Sequence, residues 1–245
     1  MGVSKNMSKN TKVRVVAAIA LIAIVIFIYK FDFRILSSWR TWNLPLSGKI
    51  IVLDPGHGGP DGGASGGEVV EKEVSLKISL LLRDYLQEQG AVVIMTRQSD
   101  KDLASPFTKG YSIRKTEDLR KRLKIINKSD ADMFLSIHLN SLPIAKYSGA
   151  QTFYNIGSDD NKELAAFIQD ELRKTLNNTN RVAKPIHNIY LLRKAEIPGA
   201  LVEAGFLSNA TERALLEDED YQDKIAFGIY KGILRSLTNE KAPEE

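Results

Sequence analysis

From residue 48 onward the chain alternates short, wholly apolar runs with longer segments whose apolar residues recur at helical spacing. Lys49 to Leu53 reads as a buried strand, and the Gly-rich stretch Asp54 to Gly67 follows it at once. Between Lys72 and Gln89, the residues Val74, Ile78, Leu81, Leu82, Tyr85 and Leu86 mark one face of a helix that Gly90 is suited to cap. Further strands are predicted over Ala91 to Thr96, Asp132 to Asn140, Ala150 to Tyr154, Ile189 to Leu192 and Ala200 to Glu203. Further helices are predicted over Glu117 to Lys128, Asn161 to Leu176, Ala210 to Leu216 and Asp220 to Leu237. Strands with continuous apolar runs, alternating with helices, imply an α/β fold. The expectation is a single three-layer domain with a twisted, mostly parallel sheet flanked by helices, free of internal repeats and appended modules.

The first 30 residues follow a different pattern. Lys5, Lys9, Lys12 and Arg14 precede an unbroken apolar run from Val15 to Tyr29 that shows no amphipathic stripe, the arrangement of an export signal peptide or membrane anchor. The bulky residues from Ile26 to Phe31 disfavour signal cleavage, so an uncleaved anchor touching the membrane through residues 13–30 is the preferred expectation. The run is shorter than a comfortable span of roughly 18 to 20 residues, which Arg14 and Lys30 can relieve by snorkelling. More cations before the run than after it orient the rest of the chain outside the cytoplasmic membrane, anchored or secreted. Residues 31–47 read as a linker with Trp39 and Trp42 at interfacial positions, 48–237 as the folded domain and 238–245 as a polar tail.

Charge changes the picture only once it is located. The chain carries a net +4, but residues 1–47 hold seven Lys/Arg against one Asp, which leaves 48–245 at −2. The folded part therefore has no cationic surplus for a phosphate backbone, and nucleic acid is excluded as a partner. There is no cysteine, so any metal site must be built from histidine and carboxylate, and only His57, His138 and His187 are available.

In open parallel sheets the usable site lies beyond the C-terminal ends of the strands. His57 sits in the loop leaving the first strand, His138 near the end of the strand Met133 to Leu139, and Glu203 at the end of Ala200 to Glu203. Glu71, at the start of the first long helix of the domain, can approach the same edge, and so by chemistry alone can Glu73. Two histidines and a carboxylate supply the three protein ligands of a catalytic zinc, with an open fourth position. A further carboxylate, Glu203, would then serve as general base for amide hydrolysis. Its apolar setting, Ala200 to Phe206, makes an idle carboxylate there costly. His187, in a loop after Pro185, reads as a surface residue. Two other patterns are decoys. Gly56 to Asp61 imitates a dinucleotide-binding turn but has Asp61 where glycine is required, and Gly63 to Gly67 matches a nucleophile elbow around Ser65 without the preceding strand.

Taken together, Asp54-Pro-Gly-His-Gly-Gly59, Glu71-Lys-Glu73, Ser136-Ile-His-Leu-Asn140 and Val202-Glu-Ala-Gly-Phe-Leu-Ser-Asn209 resemble, in order and spacing, the zinc-dependent N-acetylmuramoyl-L-alanine amidases of the amidase-3 type. The resemblance covers roughly residues 48–237. It implies one zinc per chain held by His57, Glu71 and His138, with Glu203 as general base, and it selects Glu71 over Glu73. It also implies peptidoglycan as substrate, cut between N-acetylmuramic acid and L-alanine. Ser148 to Tyr154 and Ile189 to Ala200 are most similar to the germination-specific, spore-cortex branch, in which stem-peptide removal prepares muramic δ-lactam before a separate deacetylase acts. That branch implies a forespore envelope setting. Some members carry a helical insertion that plugs the zinc site; the short connector after Tyr154 leaves little room for one, so an external protein regulator is expected. Asp100 to Thr116 is longer than the usual family connection and is a candidate partner or glycan contact. Two alternatives stand beside this reading: a zinc peptidase on stem-peptide bonds, which would differ in its muropeptide products, and an inactive cell-wall-binding module.

Overall fold

The structure is a computed structural model that describes residues 9–39, 44–237 and 240–243, with side chains in the first span described through residue 28. The side chain of Trp39, Lys5, Trp42 and residues 238, 239, 244 and 245 of the expected tail lie outside the described residues. Two units are distinct, residues 1–44 and 45–245. The first contains helix α1, Lys9–Trp39. Its stretch Lys9–Ile28 is long and apolar enough to cross a membrane, a property it shares with signal sequences, and its apolar side chains are unburied. The helix continues past residue 31, so part of the segment expected as linker is helical: nothing between Tyr29 and Trp39 is Gly or Pro.

The second unit is built on a six-stranded sheet. Its strands are β1 (Ile50–Pro55), β4 (Val92–Met95), β5 (Met133–Asn140), β6 (Gln151–Tyr154), β7 (Lys184–Pro185) and β8 (Gly199–Phe206), in the spatial order β4-β1-β5-β8-β6-β7. The first four in that order are parallel, and β6 meets β8 antiparallel. The sheet is thus mostly parallel, as expected. A separate two-stranded hairpin, β2 (Ser65–Gly66) with β3 (Val69–Val70), stands inside the glycine-rich loop.

Helices α2 (Glu71–Glu88), α4 (Asp159–Leu176) and α7 (Glu219–Ser236) pack on one another and on one sheet face, while α3 (Tyr111–Lys128) and α5 (Tyr190–Lys194) meet on the other; α6 (Ala210–Glu217) leads into α7. The period-2 alternation of strands decides which core each residue joins. Ile51 and Leu53, Leu135 and Ile137, and Ala200 and Val202 enter the α2/α4/α7 core, whereas Val52, Phe134 and Leu201 enter the α3/α5 core.

Three boundaries differ from expectation, each for a tertiary reason. Ile189 to Leu192, expected as a strand, is instead the N-cap and first three residues of the short helix α5, with Leu191 and Leu192 buried against the α3 side of the sheet while the edge pairing goes to β7. An apolar run of four cannot distinguish these outcomes. Helix α3 begins six residues earlier than expected, at Tyr111, and its polar first turns are held by contacts such as Arg114 donating to both carboxylate oxygens of Asp102 at 2.9 and 2.7 Å. Strand β8 runs on to Phe206, so Glu203 lies within the strand instead of at its end.

Beneath the polar edge lies a buried ion network. Asp54 accepts from Arg122 Nη1 at 2.8 Å, Thr96 Oγ1 at 2.7 Å and Ser136 Oγ at 2.7 Å, and Arg122 Nε donates to Asp118 at 2.7 Å. Burial alone would raise the Asp54 carboxyl, but the charge of Arg122 and the three hydrogen bonds hold it below the usual carboxylate range. A depressed folded value means that this stabilisation is complete above about pH 4, the value of an unfolded carboxylate, and is lost as pH falls through the folded value. Asp54→Asn is expected to lower stability at pH 7 by on the order of 3–5 kcal/mol, since it strands a buried arginine, and to flatten the acid limb of the stability curve. Urea unfolding between pH 7 and pH 3 checks both; an unchanged slope below pH 4 would contradict the assignment.

Candidate active site

On the α3/α5 face, the side chains that point into the core at the start of each strand give way to polar ones toward its C-terminal half: Val52 is followed by Asp54, Phe134 by Ser136 and His138, and Leu201 by Glu203. Parallel pairing puts His138 of β5 directly beside Glu203 of β8. These groups and His57 line one cleft of about 270 Å³, walled by Leu119 of α3 and by Tyr190 and Leu191 of α5.

His57 leaves β1 in the left-handed region, φ 61°, which is uncommon for a residue with a Cβ. The loop then makes the β2–β3 hairpin and passes from Val70 into α2 without a spacer, so that Glu71 becomes the first helical residue. Its carboxylate is buried. Glu71 Oε1 lies 2.8 Å from His138 Nδ1 and 3.2 Å from His57 Nε2 and accepts from the Leu139 N–H at 3.0 Å, while Oε2 accepts from the Ala64 N–H at 2.8 Å. The two imidazole rings stand edge to face, 4.9 Å between centroids. One ligand atom from each of His57, Glu71 and His138 falls within 4.8 Å of the others, a group that could hold a metal ion.

The electrostatics follow from this crowding. Burial opposes ionisation of Glu71, but its bonds to His138 and His57 and their charges hold the carboxyl far below the usual range. Burial likewise opposes charge on His57, yet Asp61 and Glu71 push its imidazole up to about 9. Glu203 goes the other way. Burial, opposed by the charge of His138 and reinforced by that of Glu71, raises its carboxyl to about 7, and its buried Oε2 has no hydrogen-bond partner among the described residues.

Glycine is needed at two points of this packing. A Cβ on Gly56 would stand 2.4 Å from His138 Cε1, and one on Gly63 would stand 2.5 Å from Glu71 Oε2 and 2.7 Å from His57 Cδ2. The other residues weighed from sequence are elsewhere. Glu73 is exposed on the outer side of α2, His187 is exposed between β7 and α5, and Ser65 is exposed on the hairpin. Residues that sequence reasoning missed are Asp61, 2.9 Å from His57 Nδ1, and the buried Arg97 and Arg122, which bind the backbone carbonyls of Pro55, Gly56 and His57. Parity along the strands could have exposed Asp54 and Ser136. Nothing in the local sequence marks the arginines.

A family model for N-acetylmuramoyl-L-alanine amidase matches residues 51–235, which include the sheet, the glycine-rich loop and all four clustered groups. The chain belongs to the N-acetylmuramoyl-L-alanine amidase family. It is 58% identical over 222 residues to the germination-specific N-acetylmuramoyl-L-alanine amidase of Bacillus subtilis, covering 91% of this chain and 94% of that one. Among solved structures it is similar to the CwlD amidase of Clostridioides difficile in complex with the GerS lipoprotein, at 46% identity and a TM-score of 0.76, over 77% of this chain and 98% of that one. A second amidase structure, from Clostridium difficile 630, matches at 30% identity and a TM-score of 0.69, over 79% and 98% of the two chains. The enzyme is therefore an N-acetylmuramoyl-L-alanine amidase acting on peptidoglycan.

Because the His138 ring occupies the space a Cβ at residue 56 would need, Gly56→Ala is expected to lower amidase turnover by about 100-fold, the cost of misplacing a functional group by roughly 1 Å. Turnover on purified peptidoglycan, with circular dichroism to verify the fold, measures this. Full activity in the variant would mean that the His138 position is not critical.

Proposed function

We propose that this amidase is a zinc enzyme in which His57, Glu71 and His138 hold the metal and Glu203 acts as general base, and that it strips stem peptides from spore-cortex peptidoglycan. The observation that carries the reading is the convergence of two imidazoles and a carboxylate within 4.8 Å, beside Glu203, whose buried Oε2 has no hydrogen-bond partner among the described residues. Two nitrogen donors and one oxygen donor suit zinc and leave a position open for chemistry. Zinc in that setting would polarise the scissile carbonyl and lower the pKa of an attacking water.

The remaining steps belong to the protein. Glu203, outside the three-residue group and with its carboxyl lifted to about 7, is suited to accept the proton of the attacking water and deliver it to the departing amide nitrogen of L-alanine. Glu71 holds both imidazoles in place through one oxygen while its second oxygen is tied to the Ala64 N–H. The cleft between α3 and α5 gives the stem peptide an approach to these groups.

The identity to the germination-specific relative supports a role in preparing muramic δ-lactam, with a separate deacetylase completing the modification. Helix α1 supports export, with the catalytic unit held outside the cytoplasmic membrane, in the forespore envelope, by an uncleaved anchor. The lipoprotein in the related complex supports an external protein regulator for this chain as well. Only four residues, 155–158, join β6 to α4, which is too short for a helical plug over the site.

Digestion of cortex peptidoglycan with and without zinc, followed by product analysis, tests the whole reading: the expected products are intact glycan and peptides with free L-alanine amino termini. Cleavage inside the stem peptide would favour a peptidase, and no cleavage a wall-binding module. For the metal, His57→Ala, Glu71→Ala and His138→Ala are each expected to deplete bound zinc, while His187→Ala keeps it; elemental analysis of the four proteins decides, and stoichiometric zinc in His138→Ala would remove that residue from the set. For the base, Glu203→Gln is expected to retain zinc and lose on the order of 10²- to 10⁴-fold in turnover. Depleted zinc in that variant would make Glu203 a ligand, and near-normal turnover would end its assigned role.

A further inference from the structure

Asp61 lies just outside the three-residue group, and its contacts all converge on one carboxylate. Oδ2 is 2.9 Å from His57 Nδ1 and 3.0 Å from Lys115 Nζ. Oδ1 accepts from the Tyr111 hydroxyl at 2.8 Å and from the Gly63 N–H at 3.2 Å. Its backbone is held too, since Gly58 and Asp61 exchange N–H···O bonds of 2.9 and 3.2 Å. The carboxylate is therefore fixed from three directions: the hairpin loop, the first turn of α3 and the second turn of α3.

The geometry at His57 gives this fixation a purpose. The imidazole turns Nε2 toward Glu71, 3.2 Å away, and Nδ1 toward Asp61. A ring that binds a metal through one nitrogen must carry its proton on the other, and a carboxylate beside that other nitrogen selects the tautomer and raises ligand basicity. The Nδ1–H is not aimed squarely at the Asp61 oxygen, so the carboxylate works through its charge and position as much as through a directed bond. His57 also sits at φ 61°, a conformation that needs surrounding contacts to maintain it.

We propose that Asp61 is a positioning residue for His57, setting its tautomer and metal affinity, and that Tyr111 and Lys115 at the exposed start of α3 hold Asp61 in that role. The inference rests on the zinc reading above. It assigns a function to the early turns of α3, whose Tyr111 and Lys115 reach the Asp61 carboxylate beside His57.

The test is zinc affinity, measured on the full-length protein in detergent by competition with a chromophoric chelator, alongside the thermal midpoint of the metal-free protein. Asp61→Ala is expected to weaken zinc binding by about 10- to 100-fold, the usual effect of removing such a partner, and Asp61→Asn, which keeps an acceptor for the ring N–H, by less. Tyr111→Phe and Lys115→Met, both at the surface, are expected to give smaller losses without moving the midpoint. Nitrogen-15 spectra of the zinc-loaded protein should show His57 protonated at Nδ1 in the parent and a shifted ring signal in Asp61→Ala. Parent-like affinity in Asp61→Ala overturns the inference and leaves the zinc reading intact, whereas a parent protein that binds no zinc overturns both. If Asp61→Ala unfolds when metal-free, the two surface variants decide, and unchanged affinity in both overturns the proposal.

Discussion

Two buried guanidinium groups hold the backbone carbonyls at the end of β1 and just beyond it, and the whole polar edge depends on that grip. Arg97 donates to Pro55 O at 3.0 Å and to Gly56 O at 2.7 Å; Arg122 donates to Pro55 O at 2.7 Å and to His57 O. A loop that leaves a parallel strand has lost its ladder partners, and its carbonyls must be satisfied elsewhere if they are buried. Here they are satisfied by cations, whose hydrogen bonds are stronger than neutral ones and whose geometry is planar and fixed. The cost of burying Arg122 is offset by its ion pairs with Asp54 and Asp118, whereas Arg97 is held by carbonyl oxygens and the Ser75 hydroxyl. The outcome is a rigid exit from β1 that presents His57 in a left-handed conformation toward α2.

From that fixed exit, the chemistry is assembled by parity and by close approach. Strand alternation places His138 and Glu203 on the same face in adjacent strands, and glycines at 56 and 63 let the imidazoles and the Glu71 carboxylate meet at distances that side chains would forbid. Neighbouring acids are shifted in opposite directions: Glu71, bonded to both rings, is held well below the usual carboxylate range, while burial of Glu203, whose Oε2 has no hydrogen-bond partner among the described residues, raises its carboxyl to about 7. Two carboxylates, one at the start of α2 and one in β8, thus acquire different proton affinities from their surroundings alone.

The sequence by itself determined the fold class, since apolar runs alternating with amphipathic helices admit few packings other than a covered parallel sheet. It also determined the candidate chemistry, because a chain with three histidines and no cysteine offers few ways to build a metal site. The three strand-end motifs and the start of α2 were legible for the same reason: their residues sit where the open edge of such a sheet must be. What only the tertiary structure decided is which groups touch. In the sequence Glu73 is by chemistry as good a ligand candidate as Glu71, and Asp61 only interrupts a glycine pattern, yet Asp61 lies 2.9 Å from His57 and Glu73 is exposed on α2. Nothing local marks Arg97 and Arg122, which distant partners bury, and Ile189 to Leu192 reads as a strand until Leu191 and Leu192 pack on the α3 side of the sheet. Local pattern reports the average surroundings of a residue type, whereas the burial of the two arginines rests on contacts such as Arg97 with Lys72 and Arg122 with Asp54, 25 and 68 residues apart, which no local period encodes.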